Sequence, residues 1–248
     1  MTKLITITNQ KGGVGKTTTV ISLAHGLALT GKRVLIVDLD PQGQSAVSLG
    51  LNTEPAVFQL LLSPTAQPQT LLRHSGRENL WLIPGDQTTA TAQIVMAAEQ
   101  RPMEAITQAI KPFEREFDFV IFDTAPSVGG IQERAVWAAD LVLIPVATDY
   151  LAVDSLDKTI GMLGRFVQQG WRGQLAGILP TMYDTVTRES HNAMEYLSQQ
   201  YNGKLLAPIR RATILRECSS DGRTIWEKAP QTPVADDFQK LLQGVAKR

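Results

Sequence analysis

The sequence predicts an α/β fold, in which a doubly wound, mainly parallel sheet carries helices on both faces. Short apolar runs alternate along the chain with stretches of helical periodicity, which is typical of this fold class. The apolar runs at 34–37 and 141–144 are uninterrupted, as strands covered on both faces require. A glycine-rich stretch joins the first apolar run to the first helical stretch. Ligands of such folds bind beyond the carboxyl ends of the strands, so we expect the functional residues at that edge.

The elements are predicted in chain order, with right-handed crossovers between parallel strands. The apolar runs that predict strands lie at 4–8, 33–37, 79–85, 117–126, 141–146, 175–181 and 204–207. The first helix follows the glycine-rich stretch and ends near Gly31, where a residue free to adopt positive φ belongs. Helical periodicity predicts the later helices at 88–99, 102–115, 128–138, 153–169, 187–201 and 233–246. Prolines punctuate residues 51–78, which predicts short helices over the edge of the sheet.

Composition limits the classes of function. With 248 residues, 43% of them hydrophobic, the chain is predicted to form one domain over 1–248. The formal net charge is zero, so any contact with nucleic acid must come from a local basic patch. The single Cys218 excludes an intrachain disulfide framework and the paired thiolates of an iron–sulfur carrier. Because the chain has no long apolar run and no signal-peptide pattern, we expect a soluble cytoplasmic protein.

The glycine-rich stretch at 9–19 predicts a phosphate-binding loop. A nucleoside triphosphate needs several inward-pointing backbone N–H groups, which Gly12, Gly13 and Gly15 make accessible. Lys16 can reach the β- and γ-phosphates, and the hydroxyl of Thr17 can ligate Mg²⁺. The order strand, glycines, Lys-Thr and helix is the order that this chemistry requires.

The loop departs from the pattern G-x-x-x-x-G-K-[ST] at one end. Gln10 stands where the first glycine of that pattern belongs, and a second lysine, Lys11, lies beside the glycines. From its position alone, Lys11 is either a solvated surface charge or an additional phosphate ligand.

Carboxylates follow two of the predicted strands at the same edge of the sheet. Asp38 and Asp40 come after the second strand, and Asp123 closes a later one, at the place of the acid that acts on the metal in phosphate-loop enzymes. With Thr17, Asp123 is a candidate for holding Mg²⁺, which prefers oxygen ligands and retains waters. Of Asp38 and Asp40, one is predicted to orient the attacking water and the other to hold the outer shell of the metal. Their spacing does not decide which does which.

The stretches 11–18, 37–43 and 121–126 closely resemble the ParA/MinD family of deviant Walker-A ATPases, and the similarity covers essentially the whole chain. The resemblance implies a phosphate-loop NTPase fold, Mg²⁺-dependent hydrolysis of ATP, and catalytic roles for Lys11, Lys16 and Asp38. It places the nucleotide phosphates on Lys11, Gly12, Gly13, Val14, Gly15, Lys16, Thr17 and Thr18. It places the metal near Thr17, Asp40 and Asp123.

The resemblance also assigns individual roles. It implies that Lys11 reaches across a nucleotide-sandwich dimer to the phosphates of the partner subunit, and that Asp38 supports hydrolysis. The adenine is expected against two segments, 181–184 and 208–210, which contribute Met182, Pro208 and Ile209. These two segments are much less specific signals than the phosphate loop.

A ParA-type protein of this family implies a homodimer that forms with ATP and binds DNA of the nucleoid without sequence preference. A ParB-like or cargo-adaptor protein then stimulates hydrolysis and releases the dimer. The basic residues that predict the DNA contact are Arg188, Lys204, Arg210, Arg211, Arg216 and Arg223. The alternative for these residues is a solvated face, or ion pairs with Glu189, Glu195, Glu217 and Asp221.

Two other functions are compatible with the sequence. A MinD-like membrane-associated regulator needs an amphipathic C-terminal anchor, but the apolar stripe at 234–245 is modest and favours core packing without stable membrane insertion. A metabolic ATP-dependent ligase or kinase of the same fold is the second alternative. Partner contacts are expected at 149–153 and at the end of the chain, and the cargo (a plasmid, a chromosome or a protein organelle) stays open.

Overall fold

The computed structural model describes residues 2–63, 67–127 and 129–246, without the side chains of 150–154. The strands within this part of the chain are β1 (Lys3–Ile7), β2 (Val34–Leu39), β3 (Arg73–His74), β4 (Leu80–Ile83), β5 (Phe119–Thr124), β6 (Leu141–Ala147) and β7 (Gln174–Thr181). They form a seven-stranded sheet in the order β3-β4-β2-β5-β1-β6-β7. Only β3 is antiparallel to its neighbour, so the sheet is mainly parallel, as predicted.

The longer helices are α1 (Lys16–Leu29), α5 (Thr88–Ala98), α7 (Gly130–Ala138), α8 (Tyr150–Gln168), α9 (Arg188–Gln200) and α12 (Pro233–Ala246). Short ones are α2 (Gln44–Ser48), α3 (Val57–Leu62), α4 (Pro68–Leu71), α6 (Ala105–Ile110), α10 (Ile214–Ser220) and α11 (Ile225–Lys228). A single 3₁₀ turn, Lys111–Phe113, extends α6. Each helix with a strong apolar period agrees with its predicted position to within about three residues.

The core lies on both faces of the sheet. Successive residues of β1 alternate between the faces, so Leu4 packs with α3, α5, α6 and α7, whereas Ile5 packs with α1 and α12. A third apolar cluster covers the outer strands β6 and β7 with α8 and α9. The continuous apolar strands therefore exist because both sides of the sheet are covered.

The strand order fixes where a ligand can bind. β1 lies between β5 and β6, so the chain leaves β1 for β2 on one side and continues to β6 on the other. This is the topological switch point of the sheet, and the glycine-rich loop follows β1 at its carboxyl end. In the pairing of β2 with β5, Asp38 stands directly opposite Asp123. The fold thus brings the predicted loop and both carboxylates to one edge.

Three local predictions differ from the structure. The expected strand at 204–207 is reduced to isolated parallel bridges, Ile178 with Leu205 and Tyr183 with Arg210. Pro208 cannot donate a backbone hydrogen bond, and this segment runs along the outer side of β7, so a regular ladder does not form. The expected helix at 102–115 is shorter and ends in the 3₁₀ turn. β3, α2, α10 and α11 were not predicted, because elements of two to seven residues are too short to show a period.

Candidate nucleotide-binding site

The glycine-rich loop presents the open end of a long helix. Gly15 is the N-cap residue of α1, with φ of 83°, and no side chain caps the helix there. Gly13 also has positive φ, at 74°, and a Cβ built on it would have no neighbouring atom within 4 Å. The first N–H groups of a helix have no partner within the helix, and the helix dipole favours an anion at that end. The loop therefore offers backbone donors to a phosphate group.

Buried side chains hold this loop in place from both sides. Asn9 is fully buried, and its Nδ2 donates to the carbonyl of Pro145 at 2.7 Å while its Oδ1 accepts from the backbone N–H of Lys11 at 2.9 Å. On the other side, the hydroxyl of Thr181 donates to the carbonyl of Val14 at 2.9 Å. The loop is thus fixed to β6 and β7 by hydrogen bonds that no phosphate is needed to complete.

The two lysines of the loop occupy different environments. Lys16 is 7% exposed, and its Nζ donates to the carbonyl of Lys11 at 3.0 Å, so the ammonium lies inside the loop. Burial lowers the pKa of Lys16, while Asp123 and Asp40 oppose this shift. Lys11 instead pairs with Asp149, with 2.6 Å between Nζ and Oδ1. The ammonium of Lys16 therefore lies inside the loop, whereas that of Lys11 lies at its rim.

Asp38 and Asp123 form a buried pair of carboxylates. Both are fully buried. Burial raises the pKa of Asp38 well above its usual range, and the charge of Asp123 adds to this. Burial likewise raises the pKa of Asp123 to about 6, while the hydroxyls of Thr17 and Ser45 and the charge of Lys16 act in the opposite direction. Two ionised carboxylates on neighbouring strands repel each other, and a bound cation would relieve this repulsion.

Ser45 is a site residue that sequence reasoning did not identify. Its backbone N–H donates to Oδ2 of Asp38 at 3.0 Å, and its hydroxyl donates to Oδ2 of Asp123 at 3.0 Å. One residue thus holds both carboxylates in place from the start of α2. The available signal was its position directly after the stretch 38–44, which begins at the carboxyl end of β2.

Two glycines allow this arrangement. A Cβ on Gly85 would lie 2.1 Å from the carbonyl oxygen of Asp38, and a Cβ on Gly43 would lie 2.6 Å from the carbonyl oxygen of Gly85. Gly43 also has φ of 61°. The end of β4 can therefore pack directly against the backbone that carries Asp38.

The donor set fits Mg²⁺. Oδ1 of Asp123 is buried and has no hydrogen-bond partner among the residues described, although a buried carboxylate oxygen normally has one. Asp40, Thr17 and Lys16 line one open cleft of about 380 Å³ with the loop glycines. Within the described part of the chain, no three His, Cys, Asp or Glu side chains form a metal cage of their own. Two or three hard oxygen donors, completed by phosphates and waters, are what Mg²⁺ takes at nucleotide sites.

A second cleft of about 290 Å³ continues from the loop towards the C-terminal part of the chain. It shares Gly15, Thr18 and Met182 with the first cleft. Its lining is mostly apolar and comes from three segments. The first lies at the end of β7, the second contains α10, and the third is part of α12. These segments contribute Met182, Ile209, Leu215 and Phe238. A flat base with its ribose fits a space of this size and character beside the phosphate cleft.

The predicted adenine residues are only partly together. Met182 and Ile209 line this second cleft, but Pro208 lines a neighbouring cavity with Tyr183 and Lys240. Met182 adopts positive φ of 54°, which is uncommon outside glycine, and its carbonyl accepts from the hydroxyl of Thr148. Residues of α10 and α12 in the cleft were not predicted, since neither helix carries a nucleotide motif.

The predicted DNA-binding residues fall into groups. All six are exposed, and Arg210, Arg211 and Arg216 line the second cleft together. Arg223 lines a small cavity that shares Thr18 and Leu215 with this cleft. Arg188 begins α9, and Lys204 lies beside the middle of β7, where its carbonyl accepts from Ile178.

Two of the four acids that the sequence suggested as partners of these basic residues pair with another lysine. Glu217 and Asp221 both pair with Lys228. Arg210 pairs with Asp237, at 2.6 Å between Nε and Oδ2. Within residues 2–63, 67–127 and 129–246, no ion pair engages Arg211 or Arg216, so their charges are available to a ligand.

The apolar stripe of α12 is part of the core, as predicted. Val234, Phe238, Leu241, Leu242 and Val245 are buried against α1 and the sheet. Across the described residues, no helix has both the length and the apolar character needed to cross a bilayer. Lys247 and Arg248 at the chain end, and the side chains of 150–153 where partner contacts were expected, lie outside the described residues.

The chain is similar to known proteins in both its sequence and its fold. A family model described as an AAA domain matches residues 2–175. The chromosome-partitioning ATPase Soj of Thermus thermophilus is 35% identical over 98% of this chain and 95% of its own. The apo structure of Cyanothece McdA superposes with a TM-score of 0.91 at 23% identity, covering 99% of this chain and 100% of the other.

One solved structure comes from a metabolic enzyme. Cobyrinic acid a,c-diamide synthase of Mycobacterium smegmatis, with a bound ATP analogue and magnesium, superposes with a TM-score of 0.84. It is 28% identical, and the match covers 100% of this chain and 95% of the other.

Proposed function

Because the chain belongs to the ParA/MinD family of deviant Walker-A ATPases, we propose that it forms an ATP-dependent sandwich dimer that binds DNA without sequence preference. In this proposal the dimer associates with the nucleoid and positions a cargo. A ParB-like or cargo-adaptor protein stimulates ATP hydrolysis, and the ADP form releases the DNA.

The observation that carries the proposal is the different location of the two lysines of the loop. Lys16 already lies inside its own loop, whereas the side chain of Lys11 is 27% exposed and pairs with Asp149. Two facing sites, each with several phosphate charges, repel unless cations neutralise them. In this proposal, Lys11 at the rim of the loop supplies such a charge to a second subunit. ADP, with one phosphate fewer, gives that lysine less to bind.

Hydrolysis is assigned to the carboxylate edge. Thr17, Asp123 and Asp40 would hold Mg²⁺, which neutralises phosphate charge when it is bound. Lys16 and the N–H groups at the start of α1 bind and orient the phosphates. Asp38, fixed by Ser45, is assigned to positioning the attacking water, and Asp40 is its competitor for that role.

Non-specific DNA binding is assigned to the exposed arginines beside the second cleft. Arg211 and Arg216 carry it, with Arg223, Arg188 and Lys204 as outer contacts, because the neutral chain needs a local patch. Each phosphate contacted contributes roughly 0.9 to the slope of log affinity against log salt. Doubling the patch in a dimer therefore steepens that slope and separates binding from release.

The decisive experiment measures DNA retention with ATP and with ADP over a salt series, alongside the mass of the protein in solution. We expect dimers and salt-sensitive retention with ATP, and monomers with weak retention with ADP. Lys16→Ala is the matched control and should behave as the ADP form in both conditions. Equal retention in both nucleotide states would exclude the switch.

The similarity to a synthetase makes a metabolic ligase the second candidate. The two candidates differ in what accelerates ATP turnover. DNA together with a partner protein should stimulate a partition ATPase, whereas a ligase should consume ATP only with a small carboxylic acid and a nitrogen donor. Stimulation by such a metabolite, with none by DNA, would favour the ligase.

A further inference from the structure

We propose that Asp237 of α12 is a positioning residue of the nucleotide site, which holds Arg210 as a wall of the base cleft. The C-terminal helix then sets the affinity for the base. This inference rests on the proposed function in one respect, namely that the cleft beside the phosphate loop receives the base of ATP.

The first argument is the backbone geometry of 209–211. Ile209 N–H donates to the carbonyl of Pro180 at 2.8 Å, and Arg211 N–H donates to that of Tyr183 at 2.8 Å. In an extended segment, alternate N–H groups point to opposite sides. The N–H of Arg210 therefore points away from β7, and it donates to Oδ2 of Asp237 at 3.1 Å. Asp237 therefore accepts a backbone hydrogen bond on one side of the segment, and the carbonyls of Pro180 and Tyr183 accept backbone hydrogen bonds on the other.

The second argument is the fork of bonds between the two side chains. Nε of Arg210 donates to Oδ2 of Asp237 at 2.6 Å, and one terminal nitrogen donates to Oδ1 at 2.8 Å. One carboxylate thus fixes both the backbone and the guanidinium of a single residue, and such paired bonds define geometry as well as strength. Burial would raise the pKa of Asp237, but the bonds from Arg210 more than offset this and keep it below its ordinary value. The carboxylate is therefore ionised at neutral pH.

The third argument is location. Asp237 is 5% exposed, whereas Arg210 is 45% exposed and lines the base cleft. The next residue on α12, Phe238, is buried and lines the same cleft. Of these two adjacent residues, Phe238 thus lines the cleft directly, and Asp237 holds Arg210, which also lines it. α12 itself is packed on α1, the helix that begins at the phosphate loop.

This assignment separates Arg210 from its neighbours. Its guanidinium is neutralised by Asp237, while no ion pair within the described residues engages Arg211 or Arg216. A charge that is already paired gains little from a DNA phosphate. Arg210 is accordingly assigned to nucleotide binding rather than to the DNA contact that the sequence suggested.

The test uses the full chain and two ligands, ATP and inorganic tripolyphosphate, which has the phosphates but no base. Asp237→Asn keeps the shape of the side chain but removes its charge, and Arg210→Ala removes the wall. We expect each to weaken ATP binding by about tenfold and tripolyphosphate binding by less than about twofold. Asp236→Asn, which changes an exposed carboxylate one residue away on the same helix, is the control and should bind both as the wild type does.

Further readouts exclude a general loss of structure. Because Arg210 is half exposed, its variants test the proposal even if Asp237→Asn does not fold. The double variant should be no weaker than either single one, since Asp237 acts through Arg210. Arg210→Lys should recover part of the ATP affinity, because one charged donor remains.

Three outcomes would overturn the inference. They are unchanged ATP affinity in both single variants, equal losses for ATP and tripolyphosphate, and additive losses in the double variant. In each of these cases a wild type that binds ATP leaves the proposed function intact. Absence of ATP binding by the wild type would instead remove both.

Discussion

The side chains of Lys11 and Asp149 form an ion pair across two loops at the carboxyl edge of the sheet, with 2.6 Å between Nζ and Oδ1. Lys11 belongs to the phosphate loop, and Asp149 follows β6. The side chains are 27% and 41% exposed, so water screens the pair and it can be broken at low cost. Lys11 cannot hold Asp149 and reach the phosphates of a second subunit at the same time. The pair therefore competes with the proposed dimer contact.

Asp149→Asn should strengthen ATP-dependent dimerisation about two- to fivefold, because breaking a surface pair costs up to about 1 kcal/mol. Sedimentation velocity at several protein concentrations with ATP gives the dissociation constant. Lys11→Ala is the complementary variant and should abolish the dimer while ATP still binds. A weaker dimer in Asp149→Asn would mean that Asp149 contributes to the interface instead of competing with it.

Asp38→Asn should slow ATP hydrolysis by at least about a hundredfold while ATP still binds, because the residue is assigned to positioning water and not to holding phosphate. The dimer should then persist with ATP. Asp40→Asn should mainly raise the Mg²⁺ concentration needed for half-maximal turnover. Steady-state turnover over a magnesium series separates the two roles. If the two variants exchange these effects, Asp40 positions the water.

Asp123→Asn should make the protein more stable in the absence of nucleotide and metal. The pKa of about 6 shows that the charged form of Asp123 is unfavourable in the folded protein, mainly because of burial. Removing the charge should add about 2 kcal/mol at pH 7.5, which corresponds to a rise in Tm of about 4 to 8 °C for a chain of this size. Differential scanning calorimetry with a chelator measures it. Substitution of the partly exposed Asp40 by Asn is the control, and an unchanged Tm in Asp123→Asn would contradict the cost of burying this charge.

The phosphate end of the site could be predicted from the sequence because its residues are close to one another along the chain. Gly13, Gly15 and Lys16 lie within one loop, and their order between a strand and a helix is specific to phosphate binding. The parallel sheet then brings Asp38 opposite Asp123, because both end strands that are paired in register. Local pattern and topology were sufficient here.

The base end could not be predicted in the same way. Asp237 contacts Arg210 from 27 positions away, and its only local signature is that of an ordinary helical carboxylate. Ser45 has no distinctive feature in the sequence, and its role becomes visible only in the structure, where it donates to the buried side chains of Asp38 and Asp123. Such contacts depend on how separate helices pack against one another. The periodicity of a single sequence does not reveal this packing. Pro208, which was expected against the adenine, lines the neighbouring cavity, and its role stays a prediction.

A buried histidine, His25, belongs to α1, the helix that follows the phosphate loop. Nδ1 of His25 is 2.6 Å from the hydroxyl of Thr224, which caps α11. Nε and one terminal nitrogen of Arg77 donate in turn to the two carboxylate oxygens of the capping partner Glu227. Burial lowers the pKa of His25 to about 4, with Glu227 raising it and Arg77 lowering it by smaller amounts. The side chain is therefore neutral in the folded protein at neutral pH.

His25 should make the protein less stable in mild acid. Its pKa is about 4 when folded and about 6.5 when unfolded, so the unfolded chain binds the extra proton between these values and stability falls as the pH is lowered. From pH 7.5 to pH 5 this amounts to about 2 kcal/mol. Asp123 has the opposite sign in part of this range, because its raised pKa favours the folded state as it is protonated.

The wild-type pH profile alone is thus ambiguous, and a matched variant separates the two groups. His25→Gln keeps a polar partner for Thr224 but does not titrate, and it leaves Asp123 in place. Urea unfolding at pH 7.5 and pH 5 should show a loss of stability that is smaller in this variant than in the wild type by about 2 kcal/mol. Equal losses in the two proteins would mean that His25 is protonated in the folded state without penalty.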